Sequence, residues 1–227
     1  MALRDQQKMF LQILMNHRSM GEEELKQFYK KLFGEDRSLE NMADDIEEMN
    51  EAIHSLHHKI EKVRCEMTGR PFYIYYSKHD KNFGSIDKLF TPAEKNLIAH
   101  LIQEIVDSET GILDYDSVQR LSFKVLMNNG KQLDTVELVK KLLDNHLLAR
   151  TDDELLHLSA LGLKELEPYL RATFDDIQEC HLCNSIIVHG VTCQSCTDCK
   201  LHKHCLKDYT KNRRAQYAMC PKCDKEF

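Results

Sequence analysis

The sequence predicts an α+β fold, mainly helical, in which two winged-helix units stand in tandem ahead of a small module tied together by cysteines. Three observations predict it. The order helix, helix, helix, hairpin can be read twice along the chain. A polar stretch, Ser77 to Phe90, separates the two readings. Eight of the nine cysteines lie beyond both. The units are expected at residues 1–85 and 86–172, with the cysteine-rich module at 178–227. At 227 residues, 42% of them hydrophobic, the chain has room for packed cores of this size.

In the first unit, Leu3, Phe10, Leu11 and Leu14 make one apolar stripe at helical spacing. Ser19 and Glu22 have the spacing of a capping box ahead of Leu25, Phe28, Tyr29 and Leu32, which predicts a second helix. Leu39, Met42, Ile46, Met49, Ile53, Leu56 and Ile60 then alternate steps of three and four. That seam suits a long third helix, either in a coiled coil or, as preferred here, packed on its two predecessors. Beyond it the period falls to two. Val63, Cys65 and Met67 alternate inward, Thr68 to Pro71 turn the chain, and Phe72, Ile74 and Tyr76 alternate back as a hairpin. Cys65, alone in this stretch, reads as a small buried hydrophobe rather than a nucleophile.

The second unit opens at Thr91, Pro92 and Glu94, an N-cap, an N1 proline and a capping partner for a helix carrying Leu97, Leu101 and Ile105. Ser117 to Met127 is a weaker helix stopped by Asn128, Asn129 and Gly130. Asp134 with Glu137 caps a third helix bearing Val139, Leu142 and Leu143. Leu147 to Leu158 is a second hairpin, turning at Asp152 and Asp153, and Ser159 to Leu170 a final helix.

The net charge of −6 is unevenly spread: residues 1–170 carry 22 Lys and Arg against 30 Asp and Glu. Sequence-independent DNA affinity comes from neutralising phosphates, so an acidic body argues against it unless a partner supplies the charge. Lys140 and Lys141 stand beside Glu137 and Asp144, which reads as a solvated face more than a phosphate clamp, and the winged helices are expected to meet partner subunits instead. No apolar run near the length of a membrane span is present, and Arg4, Asp5 and Lys8 interrupt the N-terminal segment where a signal peptide needs an apolar stretch. A reducing compartment is therefore expected, where clustered cysteines are metal ligands more often than disulfides.

The ligand order is Cys180, Cys183, Cys193, Cys196, His202, Cys205, Cys220, Cys223, four pairs each separated by two residues. Four pairs supply two tetrahedral sites, and soft thiolates in that geometry select zinc. Two ions are expected, supplying the stability that a segment this short cannot draw from its core. Cys199 could replace Cys196 and His204 could compete with His202; the repeated two-residue gap favours Cys196 and His202.

Phe10-Leu11-Gln12 with Leu14, Met15 and His17, Gly69-Arg70-Pro71 with Tyr73, Asp107 to Gly111, and the cysteine array together carry a family likeness. With these the chain, taken whole, resembles the non-SMC element 1 family, the RING-like subunit of the SMC five-six chromosome-maintenance complex. It implies a variant RING in which Cys180, Cys183, His202 and Cys205 hold one zinc and Cys193, Cys196, Cys220 and Cys223 the other. It also implies a MAGE-type winged-helix subunit and a kleisin as partners, and a nuclear, chromosomal role in DNA repair by recombination. A ubiquitin ligase of this class has no catalytic residue of its own; it orients a ubiquitin-conjugating enzyme, and Leu182 and Pro221 match positions that touch that enzyme in RING domains. Asp224 stands directly after the last ligand, where efficient ligases carry a cation, which points to weak activity raised by the MAGE-type partner. Two other classes compete. A non-catalytic zinc-stapled scaffold fits every residue. A PHD-type histone reader fits the ligand order but lacks the aromatic cage, since the chain has no tryptophan and Ala218 stands two before Cys220.

Overall fold

The first apolar stripe forms α1 (Asp5–His17), and Leu25, Phe28, Tyr29 and Leu32 fall on α2 (Glu22–Phe33). The computed structural model describes residues 3–78, 89–121, 134–213 and 217–227. Ser19 does not cap α2. Gly21 is its N-cap, and Ser19–Gly21 forms a short strand, β1, because the free edge of the later hairpin accepts it as a third strand. The acidic run Glu22, Glu23 and Glu24 serves the helix start through its dipole instead.

Helix α3 (Leu39–Ile53) ends a full seven residues before the predicted seam does. A 3-10 turn, His54–Leu56, and a left-handed His57 reverse the chain. Asn50 explains where it stops: its side-chain amide donates to the Ile60 carbonyl at 2.9 Å and accepts from the Ile60 N–H at 2.7 Å, clamping the returning strand to the helix. Leu56 is consequently exposed, Ile60 is buried on a strand, and α3 is a core helix and not a coiled coil.

Strands β2 (His58–Arg64) and β3 (Pro71–Ser77) pair antiparallel, with β3 central in the order β1-β3-β2. Cys65 and Met67 lie in the turn rather than on β2; Cys65 is buried there, its carbonyl accepting from Gly69. The sheet is covered on both faces. Ile60, Tyr73 and Tyr75 pack on the three helices with Phe10, Leu14, Tyr29, Met42 and Met49. The alternating set predicted to face inward, Val63, Phe72, Ile74 and Tyr76, turns the other way and receives Leu161 of the second unit.

That second unit contains α4 (Pro92–Asp107), α5 (helical over the described residues 115–121), α6 (Thr135–Asp144), β4 (Leu148–Arg150), β5 (Leu156–Leu158) and α7 (Ala160–Thr173). Residues 79–88 of the expected linker, and residues 122–130 with the predicted helix stop, lie outside the described residues. Two caps are as expected, with Thr91 Oγ1 accepting from Glu94 N–H and Asp134 from Glu137 N–H; Ser159, expected as the first residue of the last helix, is its cap and accepts from Gly162 N–H. Leu113 bridges Leu156, adding a third short strand-like segment to the wing. Gly162 is required by close approach, since a Cβ there would lie 2.1 Å from the Leu147 carbonyl oxygen. Lys141 is tied to Glu94 at 3.2 Å and lies over the Phe90 ring, so it is a packing residue. No helix among the described residues is long and apolar enough to cross a membrane.

Helix α7 joins the two units. One side packs Leu163, Leu166 and Leu170 into its own core, and the other sends Leu161 into β3 and Glu165 to Arg18 at 2.5 Å. The wing of this unit also buries His157 at 4% exposure, and burial holds its imidazole below the ordinary value. The unfolded chain therefore binds the extra proton as pH falls past about 6.5, so folded stability contributed by neutral His157 is present at neutral pH and lost on acidification. Between pH 7.5 and 5.5 the melting temperature of the zinc-loaded protein is expected to fall more steeply than that of a His157→Gln variant; parallel slopes would remove His157 as the cause.

Candidate metal centre

The C-terminal module has little regular structure. It consists of two hairpins, β6 (Gln178–Glu179) with β7 (Ile186–Ile187) and β8 (Val191–Thr192) with β9 (Lys200–Leu201), then α8 (Lys203–Asn212). Six of its eight cysteines sit in three turns of one design. Each CxxC closes with the N–H of the residue four beyond its first cysteine donating to that cysteine's carbonyl: Asn184 to Cys180, Thr197 to Cys193, and Asp224 to Cys220. All three closing residues have positive φ, a conformation that Asn and Asp accept most readily. In the last turn the Lys222 N–H reaches the Cys220 sulfur at 3.4 Å. Burial pushes the Cys220 thiol up, but the N–H groups of Cys223 and Lys222 outweigh it and bring the thiol from 9.0 down to about 6. The neighbouring thiols of Cys223 and Cys199 share in that lowering, and a thiolate is the form that binds metal.

The turns converge in two clusters. Cys180, Cys183, His202 and Cys205 form one, Cys193, Cys196, Cys220 and Cys223 the other, and within each the ligand atoms lie within 4.8 Å of one another. A tetrahedron with zinc–sulfur bonds of about 2.3 Å has sulfur–sulfur edges of about 3.8 Å. Cys193 to Cys223 is 3.8 Å and Cys196 to Cys220 is 3.9 Å, so the second cluster already has the size zinc requires. In the first, His202 Nδ1 stands 3.4 Å from Cys183 Sγ and 3.8 Å from Cys205 Sγ. Two zinc ions fit these donor sets, and bound there they supply structural cross-links.

The rival ligands fall outside. Cys199 is fully buried beside the second cluster, its carbonyl accepting from Cys193 N–H and its thiol hydrogen-bonded with the Cys220 sulfur, but it is not one of the four grouped residues. Cys196, in the turn that Thr197 closes, is the residue grouped with Cys193, Cys220 and Cys223. His204 stacks parallel on His202 at 5.0 Å and does not join the cluster. Leu182 and Pro221, each inside a CxxC turn, are half-buried, and Leu182 packs partly on the module's own core.

One residue at the site went unread in the sequence. Glu66, in the β2–β3 turn, is 7% exposed and accepts from His202 Nε2 at 2.9 Å and from the N–H groups of Val188 at 3.2 Å and His189 at 2.9 Å. The only hint was a carboxylate set between apolar Cys65 and Met67 at a turn. The module is seated on the second unit as well: His189 Nδ1 bonds the Thr110 carbonyl, and Ile186 and Val188 complete that unit's core.

Interleaved zinc clusters appended to two winged helices define a winged-helix protein with a RING-like module. Two family profiles agree: "Nse1 non-SMC component of SMC5-6 complex" matches residues 7–159, and "RING-like domain" matches residues 180–223. The chain belongs to this Nse1 family. It is similar to the Non-structural maintenance of chromosomes element 1 homolog of Homo sapiens, 24% identical over 98% of this chain and 84% of that protein. The Schizosaccharomyces pombe element 1 is 24% identical over 91% of this chain and 87% of its own length. Among solved structures, a chain of an Nse1-Nse3-Nse4 complex superposes with a TM-score of 0.80 at 20% identity, covering 100% of this chain and 97% of that one, which establishes the shared fold.

Proposed function

We propose that this protein is a RING-type ubiquitin ligase subunit of the SMC five-six complex, working beside a MAGE-type winged-helix subunit and a kleisin in nuclear, chromosomal DNA repair by recombination. The observation that carries the reading is the pair of interleaved zinc clusters on a chain aligned nearly end to end with Nse1 relatives. The working units are residues 1–85, 86–172 and 178–227. The likeness to a chain solved in an Nse1-Nse3-Nse4 assembly supports the choice of partners. Contact with chromosomal DNA is indirect in this reading, consistent with Lys141 being engaged by Glu94.

Catalysis here is positional. The zinc-bound turns carrying Leu182 and Pro221 would dock a ubiquitin-conjugating enzyme and bias its thioester toward attack, with no acid, base or nucleophile drawn from this chain. The alternative is a purely structural role, and Asp224 favours it. Its backbone closes the last turn with positive φ, placing a carboxylate where ubiquitin is usually steadied by a cation.

Ubiquitin-chain formation by the purified protein with and without its MAGE-type partner separates the two. The expected result is weak activity alone, a marked rise with the partner, and a drop of roughly tenfold or more for Leu182→Ala, the scale of losing an apolar anchor at an interface. No activity in either case, with Leu182→Ala silent, leaves the scaffold reading.

A further inference from the structure

We propose that Glu66 is the outer-sphere partner of the first zinc site, and that through Glu66 metal occupancy of that site fixes the seat of the RING-like module on the first winged helix. The inference rests on the zinc reading of the cluster and concerns a residue far from it in sequence.

Both carboxylate oxygens of Glu66 are committed across the boundary between the first winged helix and the zinc module. Oε1 accepts from His202 Nε2 at 2.9 Å and from Val188 N–H at 3.2 Å, and Oε2 accepts from His189 N–H at 2.9 Å. The Ile186 carbonyl also lies 3.2 Å from His202 Nε2. Two acceptors facing one ring nitrogen require that nitrogen to carry the hydrogen. Nδ1 is then left with a free lone pair, and it is Nδ1 that faces Cys183 and Cys205. The winged helix thereby selects the tautomer and the ring orientation that ligation needs.

The dependence runs both ways. Zinc on Nδ1 withdraws electron density from the imidazole and strengthens the Nε2–H bond to Glu66; a buried carboxylate held by such a donor is better satisfied than one held by a free imidazole. Coupling between binding and docking is reciprocal, so Glu66 tightens the metal and the metal tightens the docking. The contact surface is built for one seat: Gly69 of the same turn lies so near α8 that a Cβ there would come within 3.1 Å of His204 Cβ. Arg64 pairs with Asp208 of α8 at 2.7 Å, but both side chains are about half exposed, so the pair touches no ligand, contributes little to docking and serves as the control.

The test uses the full chain loaded with cobalt in place of zinc, because a three-cysteine, one-histidine site and a four-cysteine site have distinguishable absorption spectra. Chelator competition then reports the two sites separately. Glu66→Ala is expected to weaken the histidine-containing site by about 10- to 100-fold while sparing the four-cysteine site, the usual range for loss of an outer-sphere partner. Glu66→Gln, which keeps the shape, should fall between, and Arg64→Ala should leave both sites unchanged. Hydrogen exchange supplies the reverse reading: removing the first ion from the unmutated protein should deprotect residues 65–70 and 186–189 together, as Glu66→Ala does with zinc present. Equal weakening of both sites in Glu66→Gln, no weakening at either site, or a 65–70 turn that stays protected when the first ion leaves would each overturn the proposal. If cobalt is not bound at all, the zinc reading itself fails, an outcome distinct from these.

Discussion

Removing both zinc ions is expected to unfold the whole segment Gln178 to Phe227. The first cluster takes its ligands from the first and third pairs and the second from the second and fourth, so each ion holds a loop that the other also needs. Little else holds the segment: its own core comprises the cysteines with Ile187 and Leu201, half-covered by Leu182, Leu206 and Phe227. Structural zinc in small domains contributes about 10–16 kcal/mol at neutral pH, far beyond what that core provides. The winged helices keep their cores but lose the cover of Ile186 and Val188, worth about 1.5–3 kcal/mol each when fully buried. Limited proteolysis in chelator should therefore clip the tail rapidly and leave a body that melts cooperatively at a lower temperature. A cleavage pattern unchanged by chelator would remove metal as the organiser of the tail.

Arg18→Met is expected to cost about 3–5 kcal/mol, because it removes the cationic partner of a carboxylate that the fold has taken out of water. Glu165 on α7 has a side chain only 1% exposed and meets Arg18, at the end of α1, at 2.5 Å. A surface pair of this type would matter little; burial makes the remaining carboxylate the expensive partner. The double variant Arg18→Met with Glu165→Leu should recover much of the loss, since it deletes the buried charge along with its partner. Urea unfolding of the three variants measures both quantities. A single-variant loss below about 1 kcal/mol would mean that solvent reaches Glu165.

Local chemistry made much of this legible. Ser159, Thr91 and Asp134 cap helices wherever they stand because the cap is a bond to the next turn. Six of the eight residues gathered in the two clusters were legible for the same reason, since a CxxC turn is closed by its own backbone; His202 and Cys205 repeat only its two-residue gap. The errors fell where two distant segments compete for one. The apolar seam ran past Ile53 because Leu56 and Ile60 keep helical spacing, and only Asn50 gripping Ile60 ends the helix. Ser19 has a capping residue's chemistry but was taken as a strand by the free edge of β3.

By itself the sequence determined most of the elements, their order and the eight cysteine and histidine residues that the fold gathers into two clusters, since caps and CxxC turns depend on contacts within a few residues. Tertiary structure alone decided that the alternating face of the first hairpin belongs to Leu161 of α7, and that a glutamate at a turn holds the histidine of a zinc site 136 residues away in sequence. A period of two shows that a strand has two faces, but what covers each depends on which distant surface reaches it. A buried carboxylate is tolerated only where several remote donors converge on it, and that convergence exists only once the chain has folded.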